Sequence, residues 1–260
     1  MSDLIPPHLT WLQAGGRAAR TIHARERLLY HANEALPYGL DNAHPDEISY
    51  YLADPDWATW TRHTYHGHLV GYYRWAWAAR YLSSNPMAEL LRPPEGDRIP
   101  NPVTTEELAA ALDRLPRQPW RMAVLLAAYA GLRCCEIVAV RREHCTPTLL
   151  RVVGKGGRKR AVSMSLVLWA EIQDLPPGLL CVGARGQALT AQMLTQMQGP
   201  IWQRIGLNPS VHMHRFRHWF ATSLLESGAT LPEVQVLMGH ASITSTVGYT
   251  QVVDSRRLAA

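Results

Sequence analysis

Lysine is almost missing from this chain of 260 residues: 24 of its 26 basic residues are arginine, and Lys155 and Lys159 are the only lysines. Long apolar runs are missing too. The longest, Met122 to Leu132, reaches 11 residues with Gly131 counted, well short of the roughly 18–20 that cross a bilayer. The opening MSDLIPPHLT has no basic block followed by an apolar one, as an export signal would. Neither a membrane span nor a membrane partner is therefore expected. Cysteine is scarce, and Cys134, Cys135, Cys145 and Cys181 form no CxxC pair of the kind that holds zinc. A reduced, cytoplasmic protein is the plain expectation. Tyrosine is unevenly spread, since eight of the ten lie at or before Tyr81 and only Tyr129 and Tyr249 follow.

What is present argues for folded domains. Hydrophobic residues make up 47% and charged residues 18%, which excludes a disordered tail, and the length suits two modest domains. The net charge of +5 is not shared evenly: residues 1–92 carry 8 arginines against 9 acidic residues, and residues 93–260 carry 18 basic against 12 acidic. An anionic partner such as nucleic acid is plausible for the second half. Five of the 18 prolines fall between Pro86 and Pro102, in NPMAELLRPPEGDRIPNP, and proline excludes a continuing helix. The expected division is a domain over 1–92, a linker over 93–102 and a domain over 103–260.

Apolar periodicity predicts helices over Ala18–Leu36 and Trp57–Leu82, with a shorter one over Pro45–Ala53. In the long helix Trp57, Trp60, Leu69, Tyr72, Trp75 and Ala79 share an apolar face, while Arg62, His63, His66 and Arg74 fall largely elsewhere. Downstream, Thr104 and Glu107 form a capping box for a helix to about Leu115, and a buried helix runs from Pro119 to Leu132. Two β-prone runs, Leu149–Val153 and Arg160–Ser163, flank Gly154–Lys159 and predict an antiparallel hairpin with a basic tip. Further helices are expected at Ser165–Gln173, Thr190–Ile205, His214–Ser227, Leu231–Met238 and Ser242–Tyr249. The fold class is mainly α: a helical N-terminal domain and a mostly α second domain with a small antiparallel sheet.

Four features carry chemistry. His214, Arg217 and His218 have i, i+3, i+4 spacing and share one helix face, a basic surface suited to a phosphate, although such faces are also simply solvated. Arg133 ends the apolar helix with Glu136 three residues on, able to hold its side chain, as an ordinary structural pair also would. Lys155 and Lys159 are conspicuous because an ammonium can release a proton while a guanidinium cannot. Either is a candidate general acid or part of a solvated turn. Tyr249, nine residues beyond His240, lies in a small, polar segment; with an unperturbed pKa of about 10 its phenol needs cationic or hydrogen-bonding neighbours to act as a nucleophile.

Taken together, Arg133, Lys155, the His214-x-x-Arg217-His218 helix, Gly239-His240 and Tyr249 resemble, in order and local spacing, the catalytic signature of the tyrosine recombinases, the phage integrase and Xer-like family. The resemblance covers roughly residues 100–250, and Thr61–Leu91 is similar to the end of the family's helical core-binding domain. It implies the tyrosine recombinase fold and a site-specific recombinase, serving a phage or mobile element in a bacterial host. In that reading Tyr249 attacks a DNA phosphate to give a 3′-phosphotyrosyl bond, Arg133 and Arg217 clamp its oxygens, and Lys155 protonates the leaving 5′-oxygen. His214 and His240 bond the phosphate and help position Tyr249, His218 buttresses the site, and Glu136 orients Arg133. Arg62, His63 and His66 become DNA-binding candidates.

Since each phosphodiester is exchanged for a phosphotyrosine and back, bond energy is retained and no cofactor or metal is implied. The implied partners are double-stranded core-type sites, a homotetramer on two such sites, and an accessory DNA-bending or directionality protein. Little precedes Ala18, so no arm-binding domain is expected, and the tail after Tyr249 is short. Competing readings are a type IB topoisomerase with the same nucleophile, an inactive sequence-specific DNA-binding protein, and a zinc site on His214, His218 and His240.

Overall fold

The computed structural model describes residues 2–95, 100–154, 157, 159–196, 198–239 and 249. The chain forms two compact units, Met1–Asp97 and Arg98–Ala260.

Among its described residues the first unit has four α-helices: α1 (Ile5–Ala14), α2 (Ala19–Ala35), α3 (Pro45–Leu52) and α4 (Thr59–Ala78). Helix α1 was not expected from the sequence. Its Pro6 and Pro7 look like breakers, yet they occupy the first turn, where a missing backbone donor costs nothing. The core joins Ile5, Leu29, Ala32, Ile48, Leu69, Tyr72, Tyr73 and Trp75. On α4 the expected apolar face is only partly right, because Trp60 and Ala79 are exposed and His66, expected on the polar side, is buried. The helix ends at Ala78, short of Leu82.

The second unit is built around one apolar helix. Helix α5 (Thr105–Arg114) opens with both bonds of the capping box, Thr104 N–H to Glu107 Oε2 at 2.9 Å and Glu107 N–H to Thr104 Oγ1 at 3.1 Å. Helix α6 spans Met122–Ala130; the expected start at Pro119 falls in a helical turn over Arg117–Arg121 that leads into it, within which Gln118, before a proline, is extended. All its residues but Tyr129 are buried, as a helix apolar on every side requires. Gly131, at φ +60, ends it in a left-handed cap. A short helix α7 (Cys134–Ile137) follows.

Strands β1 (Leu149–Val153) and β2 (Lys159–Ser163) pair antiparallel with Val152 opposite Arg160. Leu150, Val152 and Val162 point into the core, and Lys159 is exposed. Then come α8 (Leu166–Ile172), α9 (Ala191–Gln196) and α10 (Gln198–Arg204). The sequence predicted one helix across the last two; residue 197 lies outside the described residues, and Pro200 fits the first turn of α10. Helix α11 (Met213–Glu226) packs along α6. Helix α12 (Leu231–Met238) ends, like α6, in a left-handed glycine, Gly239 at φ +61. Of the helix expected over Ser242–Tyr249 only Tyr249 is described. No described helix is long and apolar enough to cross a membrane. Among the described residues the architecture is mainly α, with one small two-stranded antiparallel sheet.

Candidate active site

Two helix ends supply the frame of the site. Left-handed glycines stop α6 and α12 and turn their last carbonyls outward, where the negative end of each helix dipole attracts cations. Three successive carbonyls at the end of α12 are each bound by a different arginine. Arg160 Nε donates to Leu237 O at 3.2 Å, Arg217 to Met238 O at 2.5 Å, and Arg133 to Gly239 O at 3.0 Å. Arg217 also donates to Gly131 O, and so joins the ends of both helices. At both glycines the positive φ strains a larger residue, and a Cβ on Gly131 would also come to 2.5 Å from Phe220.

One carboxylate serves all three arginines. Glu136, 1% exposed, accepts from Arg160 on both oxygens, at 2.5 and 3.0 Å. It also takes the Arg133 backbone N–H at 2.8 Å and the Arg133 guanidinium at 3.4 Å, while Arg217 stands 3.8 Å away. Burial alone would raise its pKa, but the hydrogen bonds of Arg160 and the Arg133 backbone, with the charges of Arg160 and Arg217, hold it below the ordinary carboxylate range. It is therefore ionised, as a buried acid among cations should be.

Arg217 is 2% exposed. Burial and the nearby charge of Arg133 pull its pKa down to about 9, with Glu136 opposing, and it remains a cation at neutral pH. A solvated face was one reading of the α11 sequence; this arginine is instead buried. The structure brings Arg133, Glu136, Arg217, His214, His218 and Tyr249 together around it.

Tyr249, 2% exposed, packs with Ala221, Leu225, Val234 and Met238. Its hydroxyl is 2.7 Å from His218 Nδ1. Burial pushes its pKa up to about 12, against the opposing charges of Arg217 and Arg133. At neutral pH it is a phenol whose proton has a nearby acceptor when His218 is neutral. His214 is exposed beside His218, ring centroids 5.9 Å apart. Desolvation, then the charges of Arg217, His212 and Arg133, lower its pKa, so it is neutral at pH 7.

Lys155 and His240 lie outside the described residues. Arg62, His63 and His66 belong to the other unit and bind their own surroundings. Arg62 donates to Asp54 O at 2.8 Å, His63 Nδ1 meets Pro93 O at 2.9 Å and His63 Nε2 meets Arg92 at 3.1 Å. His66, 5% exposed, is hydrogen-bonded to the backbone of Leu90. Two features escaped the sequence reading. Arg160 shares the inward face of β2 with Val162, a placement that strand alternation gives once the hairpin is drawn. In the first unit Arg17, Arg25 and Arg74 lie close enough for the charges of Arg17 and Arg74, after burial, to lower the pKa of Arg25. Helix periodicity did not join them because they come from three separate stretches. Among the described residues no group of three His, Cys, Asp or Glu side chains is placed to share a metal ion.

Residues 103–256 match the model of the phage integrase family. The tyrosine recombinase XerC of Rhodospirillum centenum is 32% identical over 204 residues, 70% of this chain and 59% of that protein. The tyrosine recombinase XerD of Lacticaseibacillus casei is 30% identical over 210 residues, 74% of this chain and 72% of that protein. The chain thus spans about three fifths of the XerC relative's length. Among solved structures, a lambda integrase (75–356) dimer bound to a COC′ core site superposes with a TM-score of 0.79 at 18% identity, over 96% of this chain and 94% of that one. That likeness is one of fold. With the family model covering more than half of its length and the arginines, histidines and Tyr249 assembled at one place, the chain belongs to the phage integrase family, the tyrosine recombinases.

Proposed function

We propose that the protein is a site-specific DNA recombinase that cuts and rejoins strands through a 3′-phosphotyrosyl intermediate, and that it integrates or excises a phage or mobile element. The observation that carries this reading is the buried Tyr249 hydroxyl, hydrogen-bonded to His218 and within electrostatic reach of Arg217 and Arg133. A guanidinium has five N–H donors. The described bonds of Arg217 use two of them, which leaves donors for a phosphate oxygen.

In the proposed cleavage the Tyr249 oxygen attacks phosphorus and its proton passes to His218 Nδ1. The bond from phosphorus to the 5′-oxygen breaks, and that oxygen takes a proton from Lys155. Arg133 and Arg217 carry the negative charge that develops on the non-bridging oxygens, the dominant need of phosphoryl transfer. A 5′-hydroxyl of a second strand reverses the steps, so one energy-neutral exchange replaces one junction by another.

His214 and His240 bond the phosphate, and Glu136 orients Arg133. Residues 103–260 form the catalytic domain, 93–102 the linker and 1–92 a core-binding domain. In that domain Arg62, His63 and the cluster of Arg17, Arg25 and Arg74 contact DNA phosphates; His66, buried, is left out. The working assembly is a homotetramer on two core-type sites in the bacterial cytoplasm, helped by an accessory DNA-bending or directionality protein. A solved lambda integrase tetramer on a Holliday junction supports the assembly by analogy.

The test uses a randomised pool of duplexes, each nicked so that cleavage releases a short fragment. A denaturant-stable protein–DNA adduct is expected, and repeated recovery of adducted duplexes converges on the preferred site. No adduct from the pool would contradict the reading. On the recovered duplex Lys155→Ala should slow cleavage, and a 5′-bridging phosphorothiolate, whose leaving group needs little protonation, should restore it. Failure of that rescue moves the acid to another residue, Lys159 first.

A further inference from the structure

Among the three arginines at the end of α12, Arg160 differs in what it can reach. Its Nε is bonded to Leu237 O and its two terminal nitrogens to the two oxygens of Glu136, at 3.2, 2.5 and 3.0 Å. It faces inward with all three of its nitrogens engaged, so it is poorly placed to grip an incoming phosphate. The described side-chain bonds of Arg133 and Arg217 run from their two terminal nitrogens. Arg160 is also the stronger partner of Glu136: its planar fork fits the carboxylate bidentately, whereas the Arg133 side chain stands at 3.4 Å and Arg217 at 3.8 Å.

This division has a consequence for the other two. A buried carboxylate without a bidentate partner turns to whatever cations remain. Here those would be Arg133 and Arg217, and a carboxylate paired tightly with them competes with a phosphate for the same donors. Arg160 also lies against Gly239, and through β2 it joins the β1–β2 pair to the end of α12.

We infer that Arg160 is a positioning residue: by holding both oxygens of Glu136 and the Leu237 carbonyl, it limits the carboxylate to long approaches of 3.4 Å to Arg133 and 3.8 Å to Arg217 and so keeps donors of those two available to a phosphate. The inference rests on the proposed phosphate clamp, and its test therefore includes a readout that needs no cleavage. Full-length Arg160→Met, Arg160→Lys, Glu136→Gln and the Arg160→Met/Glu136→Gln double variant are compared in two measurements. One is the single-turnover rate of adduct formation on the recovered nicked duplex. The other is the rise in melting temperature with added inorganic phosphate, which reports binding to the folded protein.

Arg160→Met should slow adduct formation about 100-fold, the scale of a clamp displaced by about an ångström, and weaken the phosphate response. Arg160→Lys keeps the charge without the fork and should fall between it and the native protein. The double variant should regain about tenfold over Arg160→Met, because a neutral amide does not capture the two cations. A purely structural arginine gives the opposite pattern: the double variant loses at least the product of the two single losses, and the phosphate response of Arg160→Met stays native once it folds. Either result overturns the inference, as does an adduct rate within threefold of native. If Arg160→Met does not fold, Arg160→Lys decides by the same two measurements. If the native protein forms no adduct, the function reading fails and the phosphate response alone decides the role of Arg160.

Discussion

The two units bury polar groups by opposite means. In the first, His8 is 0% exposed with neither ring nitrogen hydrogen-bonded, caged by Trp11, Tyr72 and Trp75 at centroid distances of 5.7, 5.3 and 4.8 Å. Burial, then the charge of Arg25, pulls its pKa down to about 4, and His68 is lowered to about 4 for the same reasons. Both are kept neutral. In the second unit Glu136 and Arg217 are equally hidden and both charged, and carbonyls and opposite charges meet them on several sides. A neutral imidazole in an aromatic cage can be exchanged for another ring or alkyl group. A satisfied ionic network cannot lose a member, because the remaining charges stay buried without a partner.

The sharpest way to break this comparison is to delete the central carboxylate. Glu136→Ala leaves three guanidiniums facing one another and should destabilise the protein by about 3–5 kcal/mol, read from urea unfolding of the full chain; a loss under about 1 kcal/mol would mean the network is no network. Acid gives the next effect, and it should strike the first unit. Both histidines have folded pKa values near 4 against 6.5 unfolded, so the unfolded state binds more protons between those values and stability falls as pH drops through that window. In the second unit His212 and His214 are lowered too and act in the same window, but both are exposed, so solvent screens their share; Glu136, depressed below the ordinary carboxylate range, costs that unit stability only as pH falls further, through its folded pKa. Amide protection factors, with the intrinsic pH dependence of exchange divided out, should therefore fall between pH 6.5 and 4 more at Leu29 and Tyr72 than at Val124 and Leu125. An equal loss of protection in both units would contradict the assignment. The smallest effect is expected from His8→Leu, within about 1 kcal/mol of native at pH 7, since removing an unbonded polar group leaves nothing unsatisfied. It should also flatten part of the acid response.

Much of this arrangement was legible in the sequence, and the exceptions share a cause. The Thr104 box, the hairpin and the i, i+3, i+4 face of α11 follow from rules that act over a few residues, and each appears where local spacing places it. Arg217 was harder to judge. Spacing puts it beside His214 and His218, but the carbonyls that bury it come from Gly131 and Met238, on two other helix ends. The bidentate bond of Glu136 runs to Arg160, 24 residues away, where only Arg133 was a local partner. His66 was misplaced for the same reason, since the segment around Leu90 that covers it folds back from beyond the helix. Helix α1 was overlooked because prolines at a first turn look like breakers.

The central claim is that the Tyr249 oxygen forms a covalent bond to DNA phosphorus held by Arg133 and Arg217. The most direct measurement digests the denatured adduct and locates the attached nucleotide by mass spectrometry, with Tyr249→Phe run in parallel. The account predicts a phosphonucleotide on the peptide containing residue 249 and none in the phenylalanine variant, which should still bind the duplex. A nucleotide attached to any other residue, or an undiminished adduct in that variant, would contradict it.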